Sequence, residues 1–274
     1  MDRGNGVIEV PCHAAGSGSA PGADERFEPR AARLVHRLAD TLTSARATGS
    51  KRAVNLDPGH LRRNRILAID RSEPAAAAFD ILRTQVLQRM DAHGWRTLGI
   101  TSPKNGMGKT VVAINIAASV ARMTERRSLL VEFDLRKPQL AEYMGIPLGN
   151  SINTLLDADF DVSAALAASG LPRLTLLPAS CPVENSSEVL ASGRIASMIS
   201  EIRDRYADRV VIFDLPPLLH GDDALSVLPR IDCVLMVIGD GMSGRSEIEE
   251  SLRLLRPSNL VGVALNQLHV KSAP

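Results

Sequence analysis

Residues 102 to 110, SPKNGMGKT, combine the residue types that hold a polyphosphate. Gly106 and Gly108 let backbone N–H groups close around phosphate oxygens with no Cβ in the way, and a helix starting at the end of the run adds the positive end of its dipole. Lys109 can reach β- and γ-phosphates, and the Thr110 hydroxyl can ligate Mg2+. Pro103 stands where the usual G-x-x-x-x-G-K-[ST] pattern has its first glycine, so the loop is a variant. The candidate nucleotide contacts are Lys104, Asn105, Gly106, Met107, Gly108, Lys109, Thr110 and Val111. Two further runs carry carboxylates. LLVEFDLRKP (129 to 138) puts Glu132 and Asp134 at alternate positions of a strand end, and such a pair beside a triphosphate calls for a metal between them. They read as a metal or general-base pair, with Arg136 available for phosphate or partner contacts. In VVIFDLPP (210 to 217) four apolar residues of a buried strand deliver Asp214, and Pro216–Pro217 stop the strand. That is a Walker B arrangement. The candidate catalytic set is Lys109, Glu132, Asp134 and Asp214, and the candidate metal ligands are Thr110, Asp134 and Asp214.

A phosphate loop works only between a strand and a helix, and the sequence supplies both. From about residue 65, short apolar runs alternate with longer helical patterns, which predicts βα units around a parallel sheet. The expected strands are 96–101, 128–134, 174–179, 209–214, 233–238 and 260–266, several of them apolar on both faces as in a sheet covered on two sides. The expected helices lie at about 75–92, 109–123, 187–205 and 244–256, with Ser72 and Ser187 as caps and Glu188 in a first turn. Asn266, closing the last strand, is placed either to touch an adenine base or simply to end the strand. The fold class is α/β: a P-loop NTPase with a doubly wound, mostly parallel sheet and helices on both faces. Residues 1–64, rich in Gly, Ala and Arg, read as a disordered or partly helical arm before a nucleotide-binding domain at 65–274. Within the arm, Leu34, Val35, Leu38 and Leu42 form an apolar stripe flanked by Arg30, Arg33, Arg37 and Arg46.

The 274 residues carry 32 Lys and Arg against 31 Asp and Glu, a net charge of +1, so no overall field draws the chain to a polyanion. Aromatic residues make up only 3% of the chain, which further argues against base stacking, and nucleic acid is not an expected partner. Cys12, Cys181 and Cys233 lie far apart, a pattern that suits a reducing cytosol better than a disulfide framework. The longest apolar runs fall short of the roughly 20 residues of a membrane span.

With these residues in view, the chain from about 65 to 274 resembles the bacterial tyrosine kinases of capsular polysaccharide synthesis, the CpsD/CapB type, within the larger group of partition and septum-positioning P-loop ATPases. SPKNGMGKT looks like their Walker A, LLVEFDLRKP like their Walker A′ and VVIFDLPP like their Walker B. FDILRTQVL (79–87), ENSSEVLAS (184–192), DDAL (222–225) and VGVALN (261–266) match as well, and DLRKP and SSEVLAS favour the kinase branch. The resemblance implies an ATP- and Mg2+-dependent protein tyrosine kinase, or kinase-like ATPase, regulating exopolysaccharide or capsule synthesis and export. Lys109 and Thr110 would bind ATP and Mg2+, while Glu132, Asp134 and Asp214 would organise the metal and activate the tyrosine hydroxyl. The implied partners are ATP, protein tyrosine substrates, a membrane-embedded co-polymerase or chain-length regulator, and further copies in a homodimer or oligomer. The implied location is cytoplasmic, peripheral at the inner face of the plasma membrane through that regulator.

Four departures qualify the resemblance. Glu132 stands where the family usually has Asp, and the extra methylene shifts the carboxylate by about 1.5 Å, enough to weaken catalysis if that group is the base. In the helix the family uses for oligomerisation, Ala77 and Asp80 replace two of three charged positions and only Arg83 remains, so ring assembly through that motif is not expected. The only tyrosines, Tyr143 and Tyr206, fall in segments expected to be ordered, and the sequence closes HVKSAP, so tail autophosphorylation is not expected. Lys104 sits where partition-type ATPases carry a signature lysine that reaches nucleotide across a dimer. It leaves open a non-kinase ATPase switch that dimerises on ATP; a nucleotide-binding pseudokinase scaffold is the third reading.

Overall fold

The computed structural model describes residues 54–149, 151–156, 162–206 and 208–268. The arm's stripe from Leu34 to Leu42 and the closing HVKSAP lie outside them. The described chain runs through α1 (Pro58–Arg63), α2 (Ala76–His93), β1 (Thr97–Thr101), α3 (Lys109–Ala121) and β2 (Arg127–Glu132). Three short helices follow, α4 (Leu140–Met144), α5 (Ile152–Leu155) and α6 (Val162–Ala165), then β3 (Ala167–Ala168) and β4 (Leu174–Leu177). α7 (Ser186–Ala191) and α8 (Gly193–Arg205) lead to β5 (Arg209–Asp214), α9 (Asp223–Val227) to β6 (Cys233–Gly239), and α10 (Arg245–Leu254) to β7 (Leu260–Asn266).

The strands form one sheet in the order β3-β4-β2-β5-β1-β6-β7, parallel except for the short β3. All six expected strands are present. Every residue of β1 is buried, as are all but the first of β2 and β5, so side chains of both alternations are covered at the sheet centre. The cover on one side begins with α3, in which every residue except Val111 is buried. Its sequence, KTVVAINIAASVA, is apolar nearly all round, the composition of a helix enclosed by neighbours rather than floating on a surface. Its one amide side chain is fully used: Asn115 Oδ1 accepts from the backbone N–H groups of Leu67 and Ala68, and Nδ2 donates to the carbonyls of Arg65 and Val111. A buried amide with all these groups paired fixes the incoming chain against α3.

That incoming chain is more ordered than its composition predicts. The boundary expected at 65 falls inside packed structure, because α1 precedes it and buries Leu61 in the main core. Asp57 caps α1 by accepting from Gly59 N, and Pro58 takes the first helical position, where its missing N–H costs nothing. Two capping expectations fail. Ser72 bonds Asp70 instead, and α2 starts after Ala75 with no side-chain cap. The helix expected at 187–205 is broken at Ser192, whose ψ of 153° is extended; its hydroxyl caps α8 by accepting from Ile195 N. Ser187 lies within α7, and Glu188 is in the first turn as expected.

Of the altered oligomerisation positions on α2, Ala77 is exposed and Asp80 is engaged within the chain. Asp80 accepts from Ser119 Oγ and from Arg122, and Arg83 Nη1 donates to it at 3.2 Å. Tyr143 is half-buried in α4, and Tyr206 is buried at the end of α8 with the Arg209 guanidinium 4.4 Å above its ring. Both tyrosines thus belong to ordered elements. Cys233 is a free, buried thiol of β6 that burial pushes up to about 12. Among the described residues no helix is long and apolar enough to cross a membrane.

Candidate active site

Three neighbouring strands end at one edge of the sheet and deliver the charged groups. β5 lies between β2 and β1, with Asp214 in register with Glu132 on one side and Ile100 on the other. The loop from β1 to α3 therefore sits beside the carboxylates of the other two strands, outside the carboxyl ends where open α/β sheets bind ligands. Behind them Phe133 and Phe213 stack with centroids 5.0 Å apart, both fully buried, and form an apolar floor.

Lys109 is the hub. Its Nζ lies 2.6 Å from Asp134 Oδ2 and 3.7 Å from Asp214 Oδ1, and donates to Thr110 Oγ1 at 3.3 Å. All these groups are buried. Burial alone would push the Lys109 ammonium down, but the Asp214 and Asp134 charges outweigh it and hold its pKa above the ordinary lysine value. Burial pushes Asp214 up, against the opposing pull of Lys109. Both Asp214 oxygens are buried without a hydrogen-bond partner. An acceptor left open in this way, beside the Thr110 hydroxyl and Asp134, fits Mg2+, a hard cation that takes one or two carboxylates and fills its shell with water and phosphate oxygens. Those three residues could hold it.

The loop glycines behave as the sequence requires. Gly106 and Gly108 have φ of 84° and 80°, a region closed to most side chains. A Cβ on Gly108 would also collide with Asn266 Nδ2, which donates to Met107 O at 3.0 Å, while Gln267 Nε2 donates to Gly106 O at 2.9 Å. Asn266 thus props the loop from the end of β7. Gly108→Ala should lower affinity for a fluorescent ATP analogue by at least about tenfold, or 1.4 kcal/mol; titration of the folded variant beside the wild type checks this.

The remaining expected residues are spread more widely. Asn105 is exposed, and Met107 is buried with its Sδ accepting from Ser243 Oγ at 3.8 Å, so only its backbone faces the loop's interior work. Lys104 Nζ pairs with Glu247 Oε1 at 2.8 Å in the first turn of α10. Arg136 is committed to Asp223. Glu132 departs most from expectation. Its Oε1 accepts from Gln139 N at 2.5 Å and Leu140 N at 2.7 Å, and its Oε2 from Ala179 N at 2.8 Å. Strand β2 ends at Glu132, so the alternation that would pair it with Asp134 does not extend that far, and three backbone amides claim the carboxylate instead. Burial pushes its pKa up to about 7, against the pull of those amides and with the Asp214 charge adding to the rise. Sequence reasoning gave no role to Gln267, Glu247, Ser186 or Asp223. The last two lie in ENSSEVLAS and DDAL, which the resemblance had already marked.

No family model matches the chain. Curated relatives include the tyrosine-protein kinase Wzc of Salmonella typhi, 27% identical over 210 residues, spanning 76% of this chain and 29% of the relative. Another is the tyrosine-protein kinase CpsD of Streptococcus pneumoniae serotype 4, 26% identical over 178 residues, spanning 64% of this chain and 77% of the relative. Against the larger relatives the chain spans under a third of their length, 26% to 29%. Among solved structures, the kinase domain of the Escherichia coli tyrosine kinase ETK superposes with a TM-score of 0.70 at 24% identity, covering 84% of this chain and 88% of that one. The fold is the one that domain has. In sequence the chain is thus similar to bacterial tyrosine kinases, and in fold to their kinase domains.

Proposed function

We propose that this chain is an ATP-dependent protein tyrosine kinase regulating exopolysaccharide or capsule synthesis and export. The observation that carries the reading is the buried Lys109–Asp134–Asp214 cluster, 2.6 and 3.7 Å across, at the mouth of a loop shaped for phosphates. Backbone N–H groups from Asn105 to Thr110 surround the β- and γ-phosphates of ATP, and Lys109 neutralises charge on the transferring group. Mg2+, held by Thr110 and Asp214, adds charge neutralisation when bound. Asp134, released from Lys109 as the phosphates take that ammonium, accepts the proton of the attacking tyrosine hydroxyl. The new bond joins the tyrosine oxygen to the γ-phosphorus, the bond to the β,γ-bridging oxygen breaks, and ADP leaves. Glu132 is assigned a holding role instead, since both its oxygens are occupied by backbone amides.

The substrates are tyrosines of other proteins, and the partner is a membrane-embedded co-polymerase that brings the chain to the inner face of the plasma membrane. The test incubates the protein with radiolabelled ATP and Mg2+, with and without the cytoplasmic segment of such a partner, and scores phosphate release and phosphotyrosine. Phosphotyrosine that requires Lys109 supports the kinase. Phosphate release alone assigns the chain to the ATPase switches, and neither signal leaves a nucleotide-binding scaffold.

A further inference from the structure

Three segments that the motifs mark separately meet at one ion pair, in which Asp223 is buried and Arg136 is half-exposed. Arg136, two residues beyond Asp134, directs Nε at both Asp223 oxygens, each 3.0 Å away, and Nη2 at Oδ2, 2.8 Å away. Ser186, fully buried at the start of α7, donates its hydroxyl to Asp223 Oδ1. The Asp223 side chain is only 4% exposed, so it is a charge taken from water and compensated by a forked guanidinium and a hydroxyl. The backbone leaves room for the pair. Gly221 has a φ of 149°, and a Cβ there would stand 2.9 Å from Asp223 Oδ2 and 3.3 Å from Arg136 Nη2.

The pair connects directly to the catalytic loop. Leu135 O accepts from Val183 N at 2.9 Å, and Lys137 N donates to Asp134 Oδ1 at 3.3 Å. Arg136 therefore lies between the Asp134 carboxylate and the amide that bonds it, on a segment fixed by Val183 on one side and Asp223 on the other. We infer that Asp223 and Ser186 are positioning residues: by gripping Arg136 they hold the loop that sets Asp134 against Lys109. The kinetic half of this inference rests on the phosphoryl-transfer reading above; the positional half does not.

The experiment compares Asp223→Asn, Arg136→Ala, Arg136→Lys, Gly221→Ala and the Asp223→Asn/Arg136→Ala double variant in the full chain. Lysine acetylation with limiting acetic anhydride, read by mass spectrometry, reports how firmly Lys109 is held, with Lys104 on its separate Glu247 pair as the internal reference. Each single variant should raise the Lys109 rate at least about threefold relative to Lys104, and the double variant should add nothing to either parent. Arg136→Lys should behave like Arg136→Ala, because an ammonium cannot reproduce the fork. In turnover assays the same variants should lose about tenfold in kcat with KM for ATP little changed, again without additivity. Unchanged Lys109 labelling, or effects that add in the double variant, overturns the inference whether or not the chain turns over ATP. A wild-type protein without turnover but with the labelling pattern intact overturns the kinase reading and leaves the positioning role standing.

Discussion

Lys109→Ala is expected to reduce phosphoryl transfer and ATP turnover by about a thousandfold, the upper end for removing one preorganised charge donor, and to destabilise the protein at the same time. The second effect follows from burial. Asp134 and Asp214 are 4% and 0% exposed, and removing their shared cation leaves two buried carboxylates uncompensated, a loss of about 3–5 kcal/mol for a broken buried pair. In the wild type the raised Lys109 pKa means that its contribution is fully present at neutral pH and disappears only as pH climbs through a value above 10.5. In the variant the deficit should shrink as pH falls, because Asp214, which burial already pushes up, can then take up a proton once its cation is gone. Calorimetry at pH 8 and pH 5 should show the gap in melting temperature narrowing toward the acid side. A gap that is absent at pH 8 would mean the cluster is solvated and the burial argument wrong.

The second large effect concerns Glu132. Its folded pKa of about 7 lies above the ordinary 4.5, so between those values the folded protein keeps a proton that the unfolded chain has lost. Stability from this group is fully present below pH 4.5 and declines as pH rises through 7, by up to about 3 kcal/mol in total. Glu132→Gln, neutral throughout, should flatten that part of the stability profile in urea titrations. Glu132→Asp separates the two roles of the position. If the side chain is the general base, restoring the shorter acid usual in the family should raise turnover. If it is a staple, the shorter carboxylate, withdrawn by about 1.5 Å, cannot reach the amides of Gln139, Leu140 and Ala179, and each one left buried costs about 1–3 kcal/mol. The staple predicts a lower melting temperature with no gain in turnover; faster turnover at unchanged stability would return Glu132 to the catalytic set.

The sequence by itself determined the sheet and the identity of the central cluster. Runs such as RVVIFD and CVLMVI can be satisfied only by burial on both faces, and a Gly-rich stretch between strand and helix dictates the backbone of the loop at Gly106 and Gly108. Those signals are local: they depend on residues within one or two turns or strand repeats, which is why Lys109, Asp134 and Asp214 could each be placed at a strand end or loop from its own segment. What only the tertiary structure decided is the partner each polar side chain takes across loops. Arg136 meets Asp223 across 87 positions, Glu132 meets Ala179 across 47 and Asn266 meets Met107 across 159. No periodicity encodes such pairings, because they are set by which loops the strand order brings to the same edge. A buried charge must then take whatever donor or acceptor that packing supplies, which is why Glu132 accepts from three backbone amides and Asp223 takes Arg136.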